Sequence, residues 1–335
     1  MSFSRPFLLI LLLGLLLAGS LLRHCSSSSQ APVSHDRILM GTVVTITALA
    51  GNNDDLEGAV KAAFDEMSRI ERLMSPHVEG SDLQRLDVAD GDVEVSPETA
   101  AVLQRALEIS AASDGAFDPT LGGLKDLWDI EGDHPRVPSA QEIAQVLSHA
   151  GWQKISLHGR IVHKDDPLTE VDLGGIAKGY AIDRAIETLK EHGVTLASVN
   201  AGGDIRLLGQ RPDRPWRIGI QHPRHQDALI ATLEMQDGAV VTSGDYERYF
   251  EADGQRYHHL FDPHSGYPGR LCQSVTITAP DATTADALAT AVFILGPKAG
   301  AALLQKFPQT AAIIIAADGT ASVTSPDLEK RLTWQ

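Results

Sequence analysis

Two oxygen-bearing side chains, Asp286 and Thr290, stand four residues apart in the apolar stretch ATTADALATAV. This spacing places both of them on one face of a predicted helix. A carboxylate and a hydroxyl so placed can supply two ligands to a hard cation such as Mg²⁺, with phosphates or backbone carbonyls completing the octahedron. The structural alternative is a solvent-exposed Asp286 and a Thr290 hydroxyl bonded back to a helix carbonyl. The spacing by itself favours that alternative.

A second candidate segment is VDLGGIAKGYAID, residues 171–183. Its glycines allow close backbone approach, and the first turn of the helix predicted after them offers free amide groups to an anion. The P-loop order and the dinucleotide-binding order of glycines are both missing from the segment. A lone glycine pair before a helix is more often a plain turn, here between a predicted strand over residues 169–173 and the helix.

Adjacent histidines, His258 and His259, precede the run LFDP. On a strand their side chains point to opposite faces, so only one of them can face a site. A neutral histidine near pH 7 is a credible general base. Because the sequence contains neither H-E-x-x-H nor a Cys-His cluster, a zinc site is disfavoured.

Two further glycine-rich stretches have both a structural and a functional interpretation. GAFDPTLGGL, residues 115–124, places an aromatic ring and an acid beside glycines. These residues could bind an apolar ring system with a hydrogen-bonding edge. The structural alternative is a buried Phe117 that anchors a turn. VNAGGDIRLLG, residues 199–209, reads first as a hairpin turning at its glycine pair. In the functional alternative, the glycines expose backbone hydrogen-bond donors and acceptors to a ligand.

Helix and strand patterns indicate how these segments are positioned. An amphipathic helix is predicted to start at Asp54 and Asp55, and further helices are predicted over residues 97–113, 178–192 and 282–295. RILMGTVVTITAL reads as a strand, and short strands dominate after Leu196, with AAIIIA as the last of them. Since hairpins outnumber crossover helices, we predict an α+β fold of mainly antiparallel sheets with packed helices.

The charge balance limits the class of partner. Of 335 residues, 44 are acidic and 28 basic, which gives a formal net charge of -16. Such a balance argues against a nucleic-acid backbone as the main partner. An anionic small ligand would need a metal ion or local amide dipoles in order to bind.

The first residues have the pattern of an export signal. Arg5 precedes an apolar stretch over residues 7–17, which is short for a membrane span. The segment is interpreted as a cleaved signal peptide, as a lipoprotein leader ending at Cys25, or as an uncleaved anchor. All three interpretations place the body of the protein outside the cytoplasm. A disulfide between Cys25 and Cys272 is not expected, and Cys272 reads as a small buried residue.

The motifs are more specific as an ordered set than singly. Together they resemble the ApbE family of FAD:protein FMN transferases, formerly labelled thiamine biosynthesis lipoproteins. The resemblance runs from about Arg37 to the last strand. It rests on the following stretches: Met40-Gly41-Thr42, MSPHVEGSDL, SDGAFDPTLGGL, VDLGGIAKGYAID, VNAGGDIRLLG, WRIGIQHP, VVTSGDYERYF, HHLFDPHSGYP and TTADALATAVFILG.

The resemblance implies a reaction and a metal site. Family members bind FAD with Mg²⁺, split its pyrophosphate, release AMP and leave FMN joined by a phosphoester to a Thr or Ser of an exported protein. Asp286 and Thr290 match the family's side-chain Mg²⁺ ligands, and Gly175 matches its backbone-carbonyl ligand. The implied acceptor is a flavoprotein subunit of a membrane redox complex.

The resemblance also implies an FAD site and a catalytic base. His259, directly before the Leu-Phe-Asp-Pro run, is the first choice for the group that accepts the proton of the incoming hydroxyl, and His258 is the second. At His77 many family members have a tyrosine that packs on the flavin nucleotide. The imidazole of His77 is smaller and titratable, which implies a different affinity for the adenine side of FAD. The family's FAD-binding positions correspond here to Met40, His77, Ala116, Phe117, Asp118, Asp172 and Lys178.

These inferences divide the chain into a leader or anchor over residues 1–25, a linker over residues 26–36 and an ApbE-like domain over residues 37–335. The expected protein is a periplasmic flavin transferase, anchored to the inner membrane if the leader is retained or lipidated. Two other functions share the same pocket: a periplasmic FAD-binding protein without transfer activity, and an FAD pyrophosphatase that uses water as the acceptor.

Overall fold

A computed structural model describes residues 31–51 and 55–335. The predicted leader over residues 1–25, with Cys25, lies outside the described residues, as do Asp54 and the first part of the predicted linker. Residues Val33–Gln335 form one compact unit.

The strands lie mostly in the second half of the chain. In chain order they are β1 (Val33–Leu39), β2 (Thr42–Gly51), β3 (Val93–Glu94), β4 (Ile155–His158), β5 (Ile161–Lys164), β6 (Val194–Ala201), β7 (Asp204–Leu208), β8 (Trp216–His222), β9 (His225–Met235), β10 (Gly238–Gly244), β11 (Tyr249–Ala252), β12 (Gln255–His258), β13 (Cys272–Ala279), β14 (Ala311–Ala316), β15 (Ala321–Val323) and β16 (Leu332–Trp334).

The helices are mostly in the first half of the chain, and the longest of them lies late in the sequence. They are α1 (Leu56–Met74), α2 (Asp82–Val88), α3 (Pro97–Ala112), α4 (Gly122–Trp128), α5 (Ala140–Leu147), α6 (Ala177–Glu191), α7 (Ala282–Leu304) and α8 (Pro326–Glu329). A short 3₁₀ turn spans Trp152–Lys154.

An eight-stranded sheet forms the centre, in the order β1-β2-β6-β7-β10-β13-β14-β15. Every neighbouring pair in it is antiparallel. Helices α1, α6 and α7 pack on one face, and the three-stranded sheet β16-β9-β8 covers the other. The prediction of an α+β fold with mainly antiparallel sheets is confirmed.

Strand β14 shows why its sequence is apolar throughout. Ala312 and Ile314 join the cluster on the helix face, whereas Ile313 and Ile315 join the cluster against the small sheet. Successive strand residues point to opposite faces, and both faces of this strand are buried. The run AAIIIA therefore has no polar alternation.

Helix α7 is the core helix of this fold. It is long and apolar enough to span a membrane by composition, but most of it is buried against β10, β13 and α6. A kink at Gly296, where φ is 75°, precedes Pro297, and the helix continues beyond it to Leu304. The predicted helix over residues 282–295 is its first, straight part.

Two carboxylates fix the start of α7. Asp281 is its N-cap and accepts a hydrogen bond from the backbone N–H of Thr284. Asp183, on α6, accepts from the backbone N–H groups of Ala282 at 2.9 Å and Thr283 at 2.8 Å. These bonds satisfy amides that the helix cannot pair internally, and they join α6 to α7.

Three expectations from the sequence are corrected. RILMGTVVTITAL is a hairpin rather than one strand, because Met40 and Gly41 take φ values of 53° and 71° and turn the chain between β1 and β2. Residues 169–173 are outside any strand, and their backbone instead meets the loop containing Pro119. The chain also continues after AAIIIA with β15, α8 and β16.

Truncating a core ring of α7 tests this packing. Phe293 is fully buried and its ring lies 5.3 Å from that of His258, edge to face. Phe293→Ala should lower the free energy of unfolding by about 3–5 kcal/mol through lost burial and the cavity left behind. The control is Val88, which is 80% exposed. Val88→Ala should change the free energy of unfolding by less than about 0.5 kcal/mol. Equal midpoints for the two variants in urea unfolding would contradict the packing described.

Candidate active site

The site begins where α6 and α7 touch. At Gly179 a Cβ atom would lie 2.2 Å from the carbonyl oxygen of Ala282 and 2.9 Å from Cβ of Asp286, so only glycine permits this approach. The backbone N–H of Gly179 donates to Oδ2 of Asp286 at 3.0 Å. The contact brings the glycine segment beside the helix that carries Asp286.

The same contact gathers the three predicted metal ligands. Thr290 lies one turn beyond Asp286, and its Oγ1 is 3.4 Å from the position that a Cβ of Gly175 would occupy. Asp286 is only 5% exposed, so the expectation of a solvent-exposed carboxylate does not hold. Within the described residues, neither Oδ1 of Asp286 nor Oγ1 of Thr290 forms a hydrogen bond, so the threonine is not bonded back to its helix. Both oxygens remain free to bind a ligand.

Charges at this place are unbalanced. Lys178 Nζ lies 2.5 Å from Oδ2 of Asp204, which is 2% exposed and sits at the start of β7. Burial, followed by the negative charge of Asp204, raises the pKa of Asp286 to about 7, while Lys178 opposes the rise. Burial opposes the charged form of Lys178, but Asp204 and Asp286 together hold its pKa above the usual value. Two buried carboxylates share one lysine, so ionised Asp286 carries a negative charge that the lysine does not balance and that a bound cation would balance.

The donor set fits Mg²⁺. Asp286 and Thr290 offer hard oxygens on one helix face, and the backbone at Gly175 lies opposite them. Such oxygens, with phosphate oxygens of a substrate and water, form the kind of site that Mg²⁺ prefers. Among the described residues no cluster of three His, Cys, Asp or Glu side chains forms a ready-made metal cage.

The loop after α3 forms another wall. Ala116 and Phe117 are buried, and Cε2 of Phe117 would lie 3.2 Å from a Cβ at Gly175. The Asp118 carboxylate accepts from the backbone N–H groups of Thr120 and Trp152, both at 2.9 Å. Burial raises the pKa of this carboxyl, and these hydrogen bonds partly oppose the rise. Asp118 therefore holds the loop in shape.

Asp172 connects that loop to the glycine segment. Its backbone N–H donates to the carbonyl of Pro119 at 2.8 Å, and its Oδ1 accepts from the N–H of Gly174 at 2.9 Å. Lys125 Nζ lies 3.8 Å from its Oδ2. Five of the predicted FAD-binding positions, namely Ala116, Phe117, Asp118, Asp172 and Lys178, thus lie on segments that contact one another.

The two remaining FAD-binding candidates lie at turns. Met40 is in the β1–β2 turn, where its backbone N–H donates to Oε1 of Glu71 at 2.7 Å. His77 is exposed in the loop after α1, and its ring forms no hydrogen bond within the described residues. The protein's own contacts therefore do not link the His77 ring to the other site residues.

Of the two adjacent histidines only His258 belongs to β12, and His259 follows the end of that strand, so the prediction that both lie on one strand is wrong. His258 is buried; its Nδ1 accepts from the N–H of Leu260 at 3.2 Å, so Nε2 carries the proton and donates to the carbonyl of Gly269 at 2.8 Å. Burial lowers its pKa to about 4. Both ring nitrogens are thus occupied in holding the turn after β12, which leaves His258 no free nitrogen for a substrate.

His259 keeps a free ring nitrogen. It is partly buried just beyond β12, and within the part of the chain that the structure describes only its Nδ1 meets a protein group, the carbonyl of Arg248 at 3.4 Å. Burial, followed by the charge of Arg248, lowers its pKa to about 3. The imidazole is therefore neutral at pH 7, which is the form that can accept a proton.

Sequence reasoning missed the acid that pairs with Lys178 and the arginine beside His259. Asp204 follows a glycine pair that also reads as an ordinary turn, and the structure does place Gly202 and Gly203 in the β6–β7 turn. The signal available in the sequence was an acid placed directly after a glycine pair, at the start of a predicted strand. Arg248 ion-pairs with Glu131 at 2.8 Å, and its Nη2 lies 3.7 Å from a Cβ position at Gly41. Nothing in its local sequence indicates that proximity.

The helix contact predicts the sign of a mutation. On an exposed helix, Gly→Ala stabilises by about 1 kcal/mol through helix propensity. Gly179→Ala should instead destabilise the protein, by roughly 1–3 kcal/mol, because the new methyl group overpacks the α6–α7 contact. Urea unfolding measures the difference, and a stabilised variant would show that the two helices are not in tight contact here.

The chain is similar to known proteins over most of its length. The sequence profile described as the ApbE family matches residues 40–315. A protein of Treponema pallidum named FAD:protein FMN transferase is 35% identical over 79% of this chain and 78% of its own length. One of the same name from Klebsiella pneumoniae is 33% identical over 89% of this chain and 94% of its own.

Solved structures have the same fold. The crystal structure of the ApbE protein from Thermotoga maritima superimposes with a TM-score of 0.82 at 37% identity, covering 90% of this chain and 99% of that one. The flavin transferase ApbE from Vibrio cholerae superimposes with a TM-score of 0.81 at 29% identity, with the same coverage of both chains. The chain therefore belongs to the ApbE family.

Proposed function

We propose that the protein is a Mg²⁺-dependent FAD:protein FMN transferase. It takes FAD as donor, attaches FMN through a phosphoester to a Thr or Ser of an exported or membrane flavoprotein, and releases AMP. The observation that carries this proposal is the convergence of the buried Asp286, Thr290, the backbone at Gly175 and Lys178 at one contact between two helices. A protein that only binds FAD has no need of a buried group of oxygen ligands whose negative charge lacks a balancing cation.

In this proposal Asp286, Thr290 and the carbonyl of Gly175 hold Mg²⁺. The ion, when bound, would neutralise the charge of the FAD pyrophosphate and of the departing phosphate. Lys178 supplies a fixed positive charge beside it, already held by Asp204. The loop of Ala116 and Phe117 gives an apolar wall for a ring system.

His259 acts as the general base. Its free ring nitrogen accepts the proton of the acceptor hydroxyl as that oxygen attacks the FMN-side phosphorus. A new P–O bond forms, the bond from that phosphorus to the bridging oxygen breaks, and AMP leaves with the electron pair. His259 is neutral at pH 7 and can accept a proton. Its pKa of about 3 makes the free imidazole a weak base, and the negative charge of bound FAD phosphates would raise that pKa towards the working pH.

The acceptor is an exported or membrane-bound flavoprotein, with a subunit of a membrane redox complex as the first candidate. The export pattern of residues 1–25 supports a periplasmic location for the domain over residues 37–335, held at the inner membrane when the leader is retained or lipidated. FAD and this acceptor are the partners that the site must accommodate together.

A transfer assay tests the proposal. The full-length protein is mixed with FAD, MgCl₂ and a candidate acceptor domain, and flavin fluorescence of the acceptor is read in a denaturing gel while AMP is quantified. Asp286→Asn should reduce transfer by at least about a hundredfold, because the amide cannot supply the charge that holds the metal. Excess Mg²⁺ should recover part of the loss.

Asp281→Asn is the matched control on the same helix, since asparagine also caps well and residue 281 lies outside the site. It should transfer at the rate of the unmodified protein. Equal stoichiometry of AMP and fluorescent acceptor supports the transferase. AMP and free FMN without acceptor labelling would indicate a pyrophosphatase, and FAD binding without AMP would indicate a binding protein. Either outcome, or a fully active Asp286→Asn variant, contradicts the proposal.

The roles of the two histidines can be separated in the same assay. His259→Gln should slow transfer by about 10²–10⁴-fold, the range expected for a lost general base, and should retain FAD binding. The control is His163→Gln, at a partly exposed histidine that pairs with Asp92; its transfer rate should be unchanged. Full activity of His259→Gln would exclude His259 as the base.

A further inference from the structure

Asp204 is a buried acid with one strong partner. It is 2% exposed at the start of β7, directly after the β6–β7 turn. Its Oδ1 accepts from the backbone N–H of Thr242 at 3.2 Å. Its Oδ2 forms an ion pair with Nζ of Lys178 at 2.5 Å, and within the described residues no donor meets this oxygen in hydrogen-bond geometry. Burying a carboxylate is costly, and the ion pair with Lys178 offsets part of that cost.

Lys178 stands between two acids. Its chain neighbour Gly179 donates to Asp286, so the backbone of Lys178 lies beside the candidate metal ligand. Both Asp204 and Asp286 act electrostatically on the ammonium group, as does Arg248 with the opposite sign. A lysine has a flexible four-carbon stem and a compact charge, so it can pair with either acid.

We propose that Asp204 is a positioning residue that holds the Lys178 ammonium away from Asp286 and so leaves the Asp286 carboxylate free for a divalent cation. The proposal rests on the proposed function only in taking Asp286 as the metal-binding carboxylate. If Asp204 is absent, Lys178 pairs with Asp286 and competes directly with the metal.

The other acids near this place cannot replace Asp204. Asp183 is already occupied by two backbone amides at the start of α7 and lies 3.5 Å from Nε of Arg206. Glu247 is within electrostatic range of Lys178, and although much of its surface is exposed, burial raises the pKa of its carboxyl; within the described residues no ion pair joins it to Lys178. Asp286 is the remaining buried carboxylate in range, so it is the partner that a released Lys178 would take.

This proposal differs from a simple charge effect in a measurable way. If Asp204 only added negative potential, its removal would weaken metal binding by the same factor whether or not Lys178 were present. If it restrains Lys178, its removal should matter only when the lysine is there. Such non-additivity is what a double-mutant cycle measures.

The experiment is a Mn²⁺ titration of the full-length protein without FAD or acceptor, with free Mn²⁺ read by its EPR signal. Mn²⁺ serves as the spectroscopic substitute for Mg²⁺. Asp204→Asn should weaken Mn²⁺ binding by about 10–100-fold, the range typical of lost groups around a metal ligand. The amide oxygen can still accept from Thr242, which limits structural damage.

Three further variants complete the test. In the Lys178→Met background, Asp204→Asn should change Mn²⁺ affinity by less than about threefold. Lys178→Met alone should bind Mn²⁺ at least as tightly as the unmodified protein, and this result does not depend on whether Asp204→Asn folds. Asp237→Asn removes an exposed carboxylate that pairs with Arg206, and it should leave affinity unchanged.

Each outcome decides the proposal. Unchanged Mn²⁺ affinity in Asp204→Asn, equal losses in both backgrounds, or weaker binding in Lys178→Met would overturn it. Absence of Mn²⁺ binding in the unmodified protein would overturn it together with the proposed metal site. Normal Mn²⁺ binding with the expected non-additivity, but without flavin transfer, would support the role of Asp204 while contradicting the proposed function.

Discussion

The close approach of α6 and α7 at Gly179 is the constraint on which the site depends. Without a side chain at this position, the first turn of α6 can lie directly against the helix that carries Asp286. Asp183 reinforces the contact by capping α7 from α6. Because α7 is buried between the central sheet and the other long helices, its position is set by the whole core. A site built on two such helices is held more rigidly than one built on loops.

Burying acids in an already acidic protein creates the electrostatic character of this place. Asp204 and Asp286 are both almost fully buried, and Lys178 is the cation between them. An arrangement with one uncompensated buried negative charge is costly in the absence of a cation. A cation bound there would remove this cost, so the stability of this region is linked to cation binding.

The surrounding polypeptide is fixed by hydrogen bonds that leave specific groups free. Asp118 and Asp172 hold the loop after α3 against the glycine segment. His258 uses both ring nitrogens to shape the turn after β12, while His259 retains one free nitrogen. The two adjacent histidines thus differ in hydrogen bonding, because His258 ends β12 in the core and His259 lies just beyond that strand.

The sequence by itself determined the fold class, the main helices, and the sharing of one helix face by Asp286 and Thr290. These features depend on local spacing and periodicity, which single segments contain. Only the tertiary structure decided that Asp286 is buried, that Gly175 lies opposite Thr290, and that Lys178 pairs with Asp204. It also corrected the first strand to a hairpin and removed the strand predicted over residues 169–173. The physical reason is that burial and ion pairing arise between segments as far apart as α6 and α7, over a hundred residues along the chain, whereas spacing describes only neighbours on one helix or strand.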